Sequence, residues 1–297
     1  MISGAAVALV TPFRDGKVDF DGVDRLVDHV LEGGVDALVP AGCTGEAAAL
    51  DTGERRELIR RVQKRAAGRA AVIPGTGTNV TATSIRLTLA AQELGVDGAM
   101  LITPYYNKPT QAGLAAHYRA VADATELPLM LYNVPGRTGV ALAVPTILNL
   151  AAHPRIQAVK EASGSVDAVS KLCRAGALEV LSGDDSLTLP MMAVGAAGVV
   201  SVAANIYPRA VVEMVRAARA GDFERARRWH QALLPLFEIL FVESNPGPAK
   251  HALARLELIR EEFRLPLVPV TEASARSVDE VLAAVGRELH ELGGMVA

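Results

Sequence analysis

Cysteine is scarce in this chain: its 297 residues include two, Cys43 and Cys173. Two thiols cannot build a disulfide framework, and they point to a reducing, cytoplasmic setting. Charge of one sign is missing as well. The formal net charge is -3, which argues against nucleic acid or an anionic membrane as partner. No apolar run reaches the roughly 18 residues that a membrane-spanning helix needs. The opening "MISGAAVALVTPF" lacks the basic segment of a secretory signal and reads as a first strand. Low-complexity tracts and Gly/Ser-rich linkers are absent, and the six histidines show no metal-ligand spacing. What is abundant is apolar side chain, at 50%, enough for a large core and too much for disorder.

Short apolar runs alternate with amphipathic stretches along most of the chain. The runs are residues 5–11, 36–42, 71–76, 98–104, 127–133, 156–160, 178–183 and 197–202. Each is continuously apolar, as a parallel strand covered on both faces must be. Helical patterns at 54–67 and 111–125 lie between them. Eight strand–helix alternations predict an α/β fold, a (β/α)8 barrel over residues 1–224. A doubly wound open sheet is the other architecture with this alternation. Beyond residue 205 the strand signal stops. Helices are predicted at 208–220, 222–242, 247–257 and 276–292, the later ones forming a C-terminal helical domain over 225–297.

Active sites of such barrels collect at the C-terminal strand ends. Here those ends are Thr11-Pro12, the 42–46 segment "GCTGE", Gly75-Thr76, Pro104-Tyr105-Tyr106, Tyr132-Asn133, Lys160-Glu161, Ser182-Gly183-Asp184 and Ser201. The chain has six lysines against 24 arginines, and only Lys160 ends an apolar strand. An ammonium there either snorkels to the rim or is used as an amine. A free lysine, with a pKa of about 10.4, is neutral in only about one molecule in 2,500 at pH 7. Burial can lower that pKa and release the nucleophile needed for a Schiff base, which arginine cannot do. Tyr132, at the end of the neighbouring strand, is placed to carry protons.

These residues carry a resemblance. "GCTGE" (42–46), "PYYNKPTQAGL" (104–114), "YNVPGRTG" (132–139), "VKEASG" (159–164), "LSGDD" (181–185) and "NPGPAK" (245–250) resemble, in order and spacing, the dihydrodipicolinate synthases. That family belongs to the pyruvate-dependent Schiff-base aldolases, with N-acetylneuraminate lyase. The resemblance implies that Lys160 captures pyruvate and that Tyr132 relays protons. It implies that Tyr106 reaches into a partner subunit's site, so the assembly is a homodimer or homotetramer. Thr44 would hold the pyruvate carboxylate, Val200 would offer a backbone contact, and Gly183 joins the substrate-binding set. Arg137 would grip the carboxylate of aspartate semialdehyde, the second substrate, on a route to lysine and diaminopimelate. No metal and no cofactor are implied.

One position departs from the family pattern. Where the family carries Gly-Thr-Thr-Gly-Glu, this chain has Cys43 as the middle of the relay between two tyrosines, a weaker hydrogen-bonding group. The departure keeps alive a related aldolase acting on a keto-acid sugar, while Arg137 argues against it. A non-catalytic keto-acid binder is the reading from another class. Elsewhere, "GTGTNVT" (75–81) lacks the third glycine of a dinucleotide loop. Asp184-Asp185 reads as a turn and helix cap. The helix with Arg55, Arg56, Arg60, Arg61 and Lys64 reads as a solvated face.

Overall fold

All eight apolar runs become parallel strands. The computed structural model describes residues 3–293. The strands are β1 (Gly4–Ala8), β2 (Ala37–Val39), β3 (Ala71–Val72), β4 (Ala99–Ile102), β5 (Leu129–Asn133), β6 (Ile156–Glu161), β7 (Glu179–Ser182) and β8 (Gly198–Ser201). In space they run β3-β2-β1-β8-β7-β6-β5-β4. A parallel bridge between Gly75 and Met100 joins the two outer strands. Met100 N donates to Pro74 O and Thr76 N to Met100 O, both at 2.9 Å, completing the seam of a closed barrel. Strands β2 and β3 are shorter than their apolar runs because Pro40 and Pro74 cannot donate to a ladder. Gly75 is needed at the seam, since a Cβ there would lie 2.5 Å from the Ala41 carbonyl oxygen.

The helices are α1 (Phe20–Glu32), α2 (Thr52–Ala66), α3 (Thr81–Gln92), α4 (Gln111–Ala124), α5 (Pro135–Thr138), α6 (Val144–Leu150), α7 (Val166–Ala175), α8 (Thr188–Ala193), α9 (Pro208–Arg219), α10 (Phe223–Ile239), α11 (Gly247–Arg255) and α12 (Glu272–Glu291). Helix α1 shows why they form: Asp19 caps the N-terminus, and Val23, Leu26, Val27 and Val30 make one buried stripe. The last three helices are the C-terminal addition, with α10 packed on α9 and α12, and α11 on α12. A short antiparallel hairpin, Phe13–Arg14 with Lys17–Val18, follows β1; its turn holds the "DG" pair at 15–16. No helix among the described residues is long and apolar enough to cross a membrane.

Two apolar layers result. One lies between strands and helices, and the other fills the barrel with Ala6, Ala8, Val39, Met100, Met130, Tyr132, Ala158 and Val200, among others. Strand β6 reaches the inner layer through an irregularity. Leu129 pairs with Ile156, but Met130 pairs with Ala158, so Gln157 is one extra residue. Ile156 faces the helices, whereas two residues on Ala158 faces the barrel interior. Strict alternation would turn Ala158 and Lys160 outward; the bulge turns them in.

Candidate active site

Strand β6 delivers Lys160 to the C-terminal mouth, and pairing with β5 sets it opposite Tyr132. Lys160 is 4% exposed, so it does not snorkel to water. Its Nζ lies 4.4 Å from the centre of the Tyr132 ring. Burial pulls the Lys160 pKa below the usual lysine value, against the opposing pull of Cys43, Asp185 and Asp184. Burial likewise pushes the Tyr132 phenol up, with Cys43 adding to the rise and Arg137 opposing it. Cys43 lines the same cavity as Tyr132.

Above this pair opens a cavity of about 450 Å³, lined by Cys43, Tyr132, Arg137, Asn245, Arg55 and Arg264, among others. Thr44 is buried at its edge, where its hydroxyl accepts from Asn245 Nδ2 at 3.0 Å. The Asn245 backbone carbonyl accepts from Arg137 Nη2 at 3.1 Å. Gly183 leaves room for the lysine stem, because a Cβ there would sit 3.0 Å from Lys160 Cε and 2.5 Å from Ala162 Cβ. Val200 is buried inside the barrel. Tyr106 is different: it is 89% exposed and has a φ of +70°. Thus Lys160, Tyr132, Cys43, Thr44, Arg137, Gly183 and Val200 gather at one mouth, and Tyr106 stands on the surface. A second cavity, of about 350 Å³, lies at the opposite end among Asp36, Asp97 and Gln157, away from these residues.

Two readings of the sequence change. Asp185 does cap, but at another segment: its Oδ2 accepts from Val202 N at 2.9 Å and Ala203 N at 3.1 Å, after β8. Asp184 makes no side-chain cap; it is half-buried, and burial holds its carboxyl above the usual value, against the opposing pull of Lys160. On α2, Arg56, Arg60 and Arg61 pair with surface carboxylates. Arg55 instead turns inward, donating to Gly75 O and Ala47 O at 2.9 Å each. The mouth therefore holds more cations than Lys160 and Arg137.

Residues to which the sequence reading gave no role complete the frame. Asn133 Nδ2 donates to Glu161 Oε2 at 2.9 Å, locking β5 to β6 just past Tyr132 and Lys160. Asn133 Oδ1 accepts from Leu142 N at 2.9 Å and holds the chain beyond Arg137. Asn245 lies 201 positions from Thr44; its only signal was membership of the "NPGPAK" run. No group of three His, Cys, Asp or Glu among the described residues could hold a metal ion.

A buried amine with a lowered pKa, set against a phenol beneath a guanidinium-lined cavity, is an arrangement for capturing a carbonyl and binding carboxylates. The profile of the Dihydrodipicolinate synthetase family matches residues 1–285. The chain belongs to that family. Within the Dihydrodipicolinate synthetase family, the 4-hydroxy-tetrahydrodipicolinate synthase of Pelobacter propionicus is 48% identical over 288 residues, covering 96% of this chain and 99% of the relative. The corresponding synthase structure from Methylacidiphilum fumariolicum SolV superimposes with a TM-score of 0.98 at 43% identity, covering 100% of both chains. The Acinetobacter baumannii dihydrodipicolinate synthase, a chloride-inhibited form crystallised with pyruvate, gives 0.95 at 44% identity, covering 96% of this chain and 99% of that one. The barrel with its C-terminal helices is the architecture of these relatives.

Proposed function

We propose that this chain is a 4-hydroxy-tetrahydrodipicolinate synthase, a lyase of lysine and diaminopimelate biosynthesis that joins pyruvate to aspartate 4-semialdehyde. The observation that carries the reading is the buried, pKa-lowered Lys160 facing Tyr132 at the barrel mouth. The neutral amine of Lys160 attacks the ketone carbon of pyruvate. The carbinolamine loses water to give the Schiff base, and loss of a methyl proton gives an enamine. The enamine carbon attacks the aldehyde carbon of the second substrate. The α-amino group of the adduct then attacks the imine carbon, closing the ring and releasing Lys160.

Each proton in this sequence needs a carrier. Tyr132, with Cys43 lining the same cavity, supplies one at the reacting carbon. Thr44 and the Val200 backbone receive the pyruvate end, and Gly183 keeps that space open. Arg137 receives the carboxylate of the aldehyde, for which a guanidinium fork is suited. The exposure of Tyr106 supports its completing a partner's site in a homodimer or homotetramer. Two unpaired cysteines support a cytoplasmic setting.

Borohydride reduction with pyruvate, followed by mass spectrometry, tests the reading. A reduced pyruvyl adduct on Lys160 is expected. Label on Lys108, or no label, would reject the mechanism. A coupled assay comparing aspartate semialdehyde with sugar aldehydes then separates the synthase from a keto-acid sugar aldolase.

A further inference from the structure

Lys250 is fully buried, and the chemistry above does not use it. Its Nζ lies 2.6 Å from Glu46 Oε1, with both side chains removed from water. The rings of Phe13 and Phe263 flank the ammonium at 4.4 and 4.8 Å. Glu46 Oε2 has no hydrogen-bond partner, so Lys250 is the side-chain anchor of this carboxylate. A buried ion pair is a poor way to gain stability, since apolar replacements of similar volume often do as well or better. Its retention calls for another reason.

The location supplies one. Glu46 closes the turn Cys43-Thr44-Gly45-Glu46, with its N donating to Cys43 O at 3.1 Å. It stands in the left-handed region, at a φ of +50°, where a side chain with Cβ needs outside support. Three contacts hold this turn from beyond its own strand. Thr11 Oγ1 donates to Gly45 O at 2.7 Å, Asn245 to Thr44 at 3.0 Å, and Lys250 to Glu46 at 2.6 Å. The last two come from the segment that opens α11, outside the barrel. The C-terminal addition thus grips the loop carrying two of the site residues, across 204 positions of sequence in the case of Lys250.

We infer that Lys250 is a positioning residue: its ammonium holds Glu46, and through it the turn that presents Thr44 to the keto-acid carboxylate and Cys43 to the Tyr132 hydroxyl. The inference rests on the functional reading above, which makes that turn part of the site. Removing the ammonium strands a buried carboxylate. Glu46 must then take a proton or swing toward water, and the turn moves with it. Lys160 keeps its strand pairing with Tyr132, and Arg137 keeps its contact to the Asn245 carbonyl, which does not run through Glu46.

The test compares the wild type with Lys250→Met and with the double variant Glu46→Gln/Lys250→Met, in which no charge is stranded. The readouts are kcat, KM for each substrate, the rate of borohydride trapping with pyruvate, circular dichroism and melting temperature. In Lys250→Met, KM for pyruvate is expected to rise about tenfold or more and kcat to fall about tenfold, with KM for the aldehyde within about threefold. In the double variant the melting temperature recovers, but KM for pyruvate does not, because an amide facing a thioether does not hold the turn. A pair serving stability alone predicts that both recover together. That result, or a folded Lys250→Met with wild-type constants, overturns the inference. Where Lys250→Met yields no folded protein, the double variant decides: a KM for pyruvate within about twofold of wild type overturns it. The two readings fail separately. A wild type that takes no pyruvyl adduct rejects the function, whereas an adduct with unchanged constants in Lys250→Met rejects only the positioning role.

Discussion

Tyr132 and Lys160 are register partners on adjacent parallel strands, and the lysine nitrogen lies 4.4 Å from the centre of the tyrosine ring. Two effects of that contact oppose each other. A ring face attracts an ammonium and favours its charged form. The same ring excludes water, which disfavours the charge. Desolvation is the larger effect, since the Lys160 pKa is lowered.

This balance sets a pH dependence. The protonated amine is inert, so adduct formation with pyruvate should rise with pH and level off below the ordinary lysine range. Tyr132→Ala opens the amine to water and should move the midpoint up toward the free value of about 10.4. Borohydride trapping across pH measures it. An unmoved midpoint would mean that other groups desolvate Lys160.

Gln157 is the surplus residue of β6, so its loss should leave Lys160 in place. Deleting it keeps Ile156 opposite Leu129 and Ala158 opposite Met130 in unbroken alternation, with Lys160 still facing the barrel interior. Borohydride trapping with pyruvate should persist in a folded deletion variant. Inserting one residue between Val159 and Lys160 turns the lysine toward the helices and should abolish the adduct while circular dichroism still reports a folded barrel. Loss of the adduct in a folded deletion variant would contradict this account of the bulge.

Arg137→Ala should damage use of aspartate semialdehyde far more than capture of pyruvate. Loss of a charge-assisted carboxylate contact costs about 2–4 kcal/mol at the transition state, roughly 30- to 1,000-fold in kcat/KM for the aldehyde. The trapping rate with pyruvate should stay near wild type. Equal losses for both substrates would show that Arg137 works by holding Asn245 rather than by binding the aldehyde.

Cys43→Val removes the thiol that shares the cavity with Tyr132 and should lower kcat by roughly 10²-fold, the worth of one proton-transfer step. Cys43→Thr restores a hydroxyl and should keep or raise kcat. Steady-state rates on both variants decide. A silent Cys43→Val would leave Cys43 as a small packing residue.

Tyr106→Phe should lower kcat about tenfold without altering assembly, if the hydroxyl works in a neighbour's site. Activity of the wild type should fall on dilution in step with dissociation seen by analytical ultracentrifugation. A fully active monomer would remove Tyr106 from the site.

Much of this protein was legible along the chain, for a local reason. A parallel strand buried on both faces must be continuously apolar, so eight apolar runs announced eight strands, and Lys160 stood out by ending one. The family motifs sit where those strands end, except "NPGPAK", which opens α11. Only the tertiary structure decided which way Lys160 points, because facing depends on pairing with β5 and on the extra Gln157, a residue unremarkable in sequence. Arg55 looked like its basic neighbours on α2 until two carbonyls from other segments claimed its guanidinium. Lys250 was only the last residue of the "NPGPAK" run, yet it is sealed against Glu46 from the far end of the chain. Apolarity is written residue by residue and sets the elements. The partner of a charge is set by chain closure, which brings together groups about 200 positions apart and is visible only in three dimensions.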